Sequence, residues 1–143
     1  MIWLALYIAA MFCIALPVAL FGRNEVAGVV FAVWSVGQVT YQIGFPEPQT
    51  QVLIYAAGFV VAARFARTSV CFFAAMMFFP LALASLSHAA GWIEPAAAWW
   101  SIYWIAMTQV VSLPFCVDWR GIWAARRAKA NHRSDTMLRS IHV

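Results

Sequence analysis

Residues 51–67 read QVLIYAAGFVVAARFAR. The positions of the two arginines at the end of this stretch decide how many times we expect the chain to cross a membrane. The uninterrupted apolar run covers only residues 52–63, a length more typical of a buried or re-entrant segment than of a membrane span. If the segment nevertheless crosses a membrane, Arg64 and Arg67 lie on the same side as Arg23 and the basic C-terminal region. If it does not cross, Arg23 is separated from every other basic residue, so we favour a crossing.

The composition around this stretch is that of a membrane protein. Hydrophobic residues make up 65% of the 143 residues, charged residues 10%, and the mean hydropathy is +0.81. A water-soluble domain carries about 25% charged residues, so the chain lies well outside that class. The sequence therefore predicts an all-α fold in which hydrophobic helices face lipid.

Short stretches that contain polar residues or proline divide the apolar sequence into five segments. Gly22-Arg23-Asn24-Glu25 ends the first, and Pro46-Glu47-Pro48 ends the second, because proline cannot continue a helix. Pro80 falls in the middle of the fourth segment and predicts a bend there. We predict a polytopic transmembrane helical domain over residues 1–117, with spans at about 2–21, 26–45, 51–66, 70–90 and 96–117, and a basic cytoplasmic tail over residues 118–143.

Charge sets the orientation of these five spans. The five-span arrangement places all nine Lys and Arg residues on one side of the membrane. The only charged residues on the other side are Glu47 and Glu94. Basic loops stay in the cytoplasm, so we expect the N-terminus outside and the C-terminus inside a bacterial-type cytoplasmic (inner) membrane. One continuous helix over residues 52–90 would instead bury Arg64 and Arg67 in lipid, and we reject it.

A stripe of polar residues lies on the second predicted span. Ser35, Gln38 and Gln42 recur at helical spacing, with Tyr41 beside them. Polar side chains inside a membrane either bond neighbouring helices or line a polar path. We expect helix packing, with Gln109 on the fifth span, together with Thr108 and Ser112, as partners.

His88 is the candidate cofactor-binding residue. Ala84 lies one helical turn before it and Ser85 three residues before it, so a small side chain lies beneath the ring. In these two positions the Ala-x-x-x-His arrangement resembles the chlorophyll-ligating segment of light-harvesting antenna polypeptides. The resemblance implies a pigment or haem ligand as an alternative, whereas a hydrogen-bonded interfacial histidine is the expected role.

The start of the basic tail is predicted to be an interfacial helix. Trp119 and Trp123 would lie in the headgroup region, and Arg126, Arg127 and Lys129 would contact anionic lipids. Nucleic acid is not an expected partner, because the basic charges come without an aromatic platform for bases.

No motif for catalysis or metal binding appears in the sequence, and the three cysteines show no paired spacing. We therefore expect a non-enzymatic membrane subunit that packs within or assembles a larger membrane complex, with other membrane subunits or further copies of itself as partners. No resident cofactor is predicted. The first alternative is a small pore-forming protein of the holin kind, and the second is a pigment- or haem-binding subunit that uses His88.

Overall fold

The computed structural model describes residues 2–44 and 49–129, and every regular element in these two ranges is helical. The all-α prediction is thereby confirmed. The elements are, in chain order, α1 (Ile2–Ala10), a π-helical segment (Met11–Ala15), α2 (Leu16–Phe21), α3 (Glu25–Gln42), α4 (Gln49–Phe65), α5 (Ser69–Met76), α6 (Phe78–Ala89), α7 (Pro95–Ser112), a 3-10 segment (Leu113–Cys116) and α8 (Trp119–Lys129).

Helix length and composition support only part of the five-span prediction. One helix, Ser69–Ala89, is long and apolar enough to cross a membrane. A second qualifies if Pro95–Cys116 and Trp119–Lys129, which meet at a bend of 43°, are counted as one span. The apolar helices Ala5–Phe21 and Glu25–Thr40 are shorter, so five spans are not confirmed. A helix in the core of a soluble protein can be equally long and apolar.

Asn24 ties three elements together at one end of the bundle. Its side-chain oxygen accepts from Ala27 N at 2.9 Å and so caps α3. Its Nδ2 donates to Cys116 O at 3.3 Å and to Cys71 Sγ at 3.6 Å, which joins the start of α3 to the start of α5 and the end of the 3-10 segment. Arg67 lies beside Glu25 at the same end, with Nη2 3.4 Å from Oε1. We call this the basic end.

The opposite end gathers aromatic side chains, and we call it the aromatic end. Trp3 near the start of α1 meets Trp100 and Tyr103 in the first half of α7, with ring centroids 5.7 and 6.0 Å from its own. α6 ends here too, where Gly91 takes a left-handed backbone (φ 72°) and Trp92 N bonds to Ser87 O at 2.9 Å. The start of α1, the end of α6 and the first part of α7 therefore lie together at this end.

α5 and α6 together form the helix Ser69–Ala89, whose regular pattern is interrupted at Met77, three residues before Pro80, where the sequence predicts a bend. A proline inside a helix removes one backbone donor and its ring crowds the carbonyl four residues earlier. Gln109 of α7 lies against this region, and its Nε2 donates to Ala74 O at 2.8 Å. The side chain of Gln109 is 2% exposed, so this bond lies in the core.

Small residues set how closely the central helices approach. Gly58 on α4 faces α3 and α6: a methyl group added there would lie 2.7 Å from Val33 Cγ2 and 3.2 Å from Phe78 Cε1. Ala62, one turn later, is fully buried. Because both residues of this Gly-x-x-x-Ala pair are small, α4 can approach α3 and α6 closely.

Candidate functional site

A partly open cavity of about 520 Å³ lies among α1, α3, α4, α6 and α7. This volume is within the range of small-molecule sites, about 300 to 1,000 Å³. Each of the five helices contributes at least one polar side chain to the lining, namely Tyr7, Gln38, Gln51, His88 and Tyr103.

Aromatic side chains form part of the cavity wall. Trp99 stacks on Tyr103 with centroids 5.6 Å apart and planes 10° apart. On the α4 and α6 side, Tyr55 meets Phe78 at 6.5 Å. Trp34 adds a further ring from α3. Flat, polarisable walls of this kind suit planar apolar ligands.

Hydrogen bonds hold part of the polar lining in place. Ser85 of α6 is fully buried, and its hydroxyl lies 3.5 Å from Gln51 Oε1 on α4. Gln109 is fixed by its bond to Ala74 O. Two other polar atoms of the lining residues, Trp34 Nε1 and His88 Nδ1, are buried and have no hydrogen-bond partner in the part of the chain that the structure describes. An unsatisfied buried polar atom is uncommon in proteins and calls for an explanation.

Tightly packed side chains fill the bundle between the cavity and the basic end. Ala15, Ala27, Ala74, Val110 and Leu113 are 0% exposed. The cavity is therefore a pocket that borders a packed core.

The predicted polar stripe on α3 does not bond to α7 among the described residues. Ser35 Oγ donates to Phe31 O on its own helix at 2.9 Å. On α7, Thr108 and Ser112 likewise bond to carbonyls of their own helix. Gln38 and Gln109 line the same cavity without a hydrogen bond between them. The side chains of Tyr41 and Gln42 lie outside the described part of the structure.

His88 lies in the last turn of α6 and lines the cavity, so its predicted position near the end of a helix is observed. The expected hydrogen bond is not formed at His88 Nδ1 among the described residues. The hydroxyl of Ser85, three residues earlier, donates to Gln51 Oε1.

The predicted interfacial residues lie on α8. Trp119 is half-buried, and its Nε1 donates to Pro114 O at 2.8 Å, which fixes α8 to the end of the bundle. Trp123 is 56% exposed and carries the guanidinium of Arg126 over its ring at 5.7 Å. Arg126, Arg127 and Lys129 are exposed. The rest of the tail, residues 130–143, lies outside the described residues.

Cysteines and potential metal ligands do not gather into a metal site within residues 2–44 and 49–129. Cys71 and Cys116 are buried free thiols near Asn24, and Cys13 is exposed. The Cys71 Sγ lies 3.6 Å from Cys116 O.

Tyr7, Trp34 and Tyr55 were not recognisable as site residues from the sequence, because they come from three helices whose relative rotation the sequence does not give. The capping role of Asn24 could be recognised from the sequence, because an asparagine directly before an apolar helical run is a typical N-cap. Comparison with protein families, curated proteins and solved structures gives no match for this chain.

Proposed function

We propose that this chain is a five-span integral membrane protein of a bacterial-type cytoplasmic membrane, and that it acts as a non-enzymatic subunit of a larger membrane complex. The observation that carries the proposal is the outer surface, where large apolar side chains are exposed on every helix of the bundle. Leu53 on α4 is 72% exposed, Phe79 on α6 is 59% exposed and Phe115 after α7 is 74% exposed. Water-soluble monomers seldom expose apolar patches larger than a few hundred Å².

Helix lengths are compatible with five spans in a bilayer that adjusts to them. α3 has 18 residues and α4 has 17, which at 1.5 Å per residue gives about 27 and 26 Å. The hydrocarbon layer is about 30 Å thick, and local thinning or snorkelling of end residues accommodates a difference of this size.

The charge distribution supports the proposed orientation. Arg23, Arg64 and Arg67 lie at or near the connections of the basic end, and the tail follows the 3-10 segment at that end. Glu94, directly before α7, lies at the aromatic end. Exposed tryptophans such as Trp92 suit the interface on that side.

One face of α7 is suited to contact a neighbouring membrane helix. Trp104, Val111 and Phe115 are exposed along it and border a shallow groove. Thr108 and Ser112 lie in the same groove, with hydroxyls that already bond to their own helix at 2.8 and 2.7 Å. An apolar helix could therefore cover this face without leaving an unpaired hydroxyl in lipid.

The pore alternative has less support, because the packed core between the cavity and the basic end leaves no continuous path through the described part of one copy. The pigment or haem alternative has one observation in its favour, the unpartnered His88 beside a cavity. A visible absorption band in protein purified from its native membrane would support the pigment or haem alternative over a subunit without a cofactor.

The subunit role is tested by photocrosslinking in the native membrane. A crosslinking amino acid at Val111 or Phe115 should give a discrete protein adduct, while the same group at Leu53 on α4 should give lipid adducts. Discrete protein adducts at 53 and none at 111 or 115 would show that the partner face is misassigned. If no position gives a protein adduct and no protein copurifies, the subunit role is wrong.

A further inference from the structure

Two polar atoms without partners border the same cavity. Trp34 Nε1 and His88 Nδ1 are buried without a hydrogen-bond partner among the described residues, and both side chains belong to the cavity lining. Trp34 lies near the middle of α3, and His88 lies one residue before the end of α6. The two residues line the cavity at different depths, but these two atoms are buried beside it and are not exposed to it in the described structure.

Each of these groups restricts the chemistry of a ligand. The indole N–H is a donor only, so a partner must offer an acceptor. For His88, a buried Nδ1 without a partner costs less as a lone pair than as an N–H group, because unpaired acceptors are better tolerated than unpaired donors. We therefore assign a proton to Nε2, which is not one of the two buried atoms without a partner and can donate to a second acceptor.

The rest of the lining adds two further conditions. None of the lining residues is an Asp, Glu, Lys or Arg, so the wall has no fixed charge to balance an ion. Six lining residues are aromatic: Tyr7, Trp34, Tyr55, Phe78, Trp99 and Tyr103. An organic cation would be attracted to such rings but would give the indole N–H no acceptor.

We propose that this cavity binds a neutral, planar, conjugated dicarbonyl compound of the quinone class. One carbonyl oxygen accepts from Trp34 Nε1, the opposite carbonyl accepts from His88 Nε2, and the flat ring lies between the aromatic side chains. Because Trp34 Nε1 is buried in the described structure, binding requires the indole to rotate toward the cavity and away from its ring contacts with Phe12 and Phe31. The proposal goes beyond the subunit role and does not depend on a partner protein.

Binding is tested on the full chain in lipid nanodiscs, by equilibrium dialysis against nanodiscs without protein. The probes are 2-methyl-1,4-naphthoquinone and 2-methylnaphthalene, which share a ring system and differ in the carbonyl groups. We expect saturable binding of the quinone at one site per chain, at least about tenfold tighter than binding of the hydrocarbon.

Variants assign the hydrogen bond. Trp34→Phe keeps a ring and removes the donor, so it should weaken quinone binding by about five- to tenfold and leave hydrocarbon binding unchanged. Trp123→Phe on α8 is the matched control and should change neither. Ile102→Trp narrows the cavity from α7 and should abolish binding of both probes, which tests the location even if Trp34→Phe does not fold. Absence of saturable quinone binding, equal affinity for the two probes, or an Ile102→Trp protein that still binds both would overturn the proposal, as would unchanged quinone affinity in folded Trp34→Phe.

Discussion

Gly58 shows how a single residue fixes the spacing of three helices. A methyl group at this position would lie 2.7 Å from Val33 Cγ2 on α3, closer than real side-chain contacts allow. Valine is branched at Cβ and has few alternative rotamers in a helix, so it cannot move away cheaply.

We expect Gly58→Ala to lower the free energy of unfolding by about 1 to 2 kcal/mol. Overpacking costs about 1 to 3 kcal/mol, and the better helix propensity of alanine offsets up to about 1 kcal/mol. The measurement is reversible unfolding in mixed detergent micelles, followed by far-UV circular dichroism.

Gly28 on α3 provides the matched control, because a methyl group added there meets nothing within 4 Å. Gly28→Ala should leave stability unchanged or raise it slightly. Val33→Ala should restore part of the stability lost in Gly58→Ala, since it removes the colliding atom. A Gly58→Ala protein as stable as the original chain would mean that α3 and α4 are farther apart than the structure places them.

At the scale of elements, α8 combines an anchor to the bundle with an exposed amphipathic surface. Trp119 is fixed by its bond to Pro114 O, whereas Trp123, Arg126, Arg127 and Lys129 extend outward from the basic end. The bend of 43° between the α7 segment and α8 turns the helix away from the direction of the bundle. These features are typical of a helix that lies on a membrane surface.

We predict that a peptide of residues 117–129 binds anionic vesicles more tightly than neutral ones. Each basic residue near an anionic surface contributes about 1 kcal/mol, and the attraction decays over a Debye length of about 8 Å at physiological salt. High salt should therefore remove most of the preference, while tryptophan emission should remain blue-shifted on binding. Vesicle titration of tryptophan fluorescence measures both effects.

A peptide in which Arg126, Arg127 and Lys129 are all glutamine separates the two contributions. It should bind neutral vesicles as the original peptide does and show no preference for anionic ones. Equal binding of the original peptide to both vesicle types would exclude a role in lipid recognition, and the basic residues would then be better explained as determinants of topology.

At the scale of the whole molecule, the five proposed crossings predict on which side of the membrane each connection lies. We predict that reporter fusions at residues 24, 48, 68, 93 and 143 report inside, outside, inside, outside and inside. The physical reason is the segregation of basic residues, which are retained in the cytoplasm. Alkaline phosphatase and fluorescent-protein fusions give opposite readouts at each position and control for poor expression. An outside signal at both 68 and 143 would contradict the crossing of α4.

The sequence by itself determined where the helices lie. Gly22-Arg23-Asn24-Glu25 and Pro46-Glu47-Pro48 interrupt the apolar runs, and these local signals predict helix ends to within a few residues of those observed at Phe21, Glu25 and Gln49. Pro80 predicted a bend in the fourth segment, and the helix is interrupted nearby at Met77, because a missing N–H acts on its own helix. The charge pattern is also local, and it carried the predicted orientation.

Only the tertiary structure decided which side chains meet. Periodicity places Gln38 and Gln109 on helix faces, but it does not say that Gln109 turns to the Ala74 carbonyl or that Gln38 lines a cavity. The cavity depends on the rotation and spacing of five helices, which contacts such as Gly58 against Val33 fix. Apolar residues cover most of every helix here, so hydrophobic periodicity does not separate the faces that meet other helices from those that remain exposed, and packing between small and large side chains makes that choice.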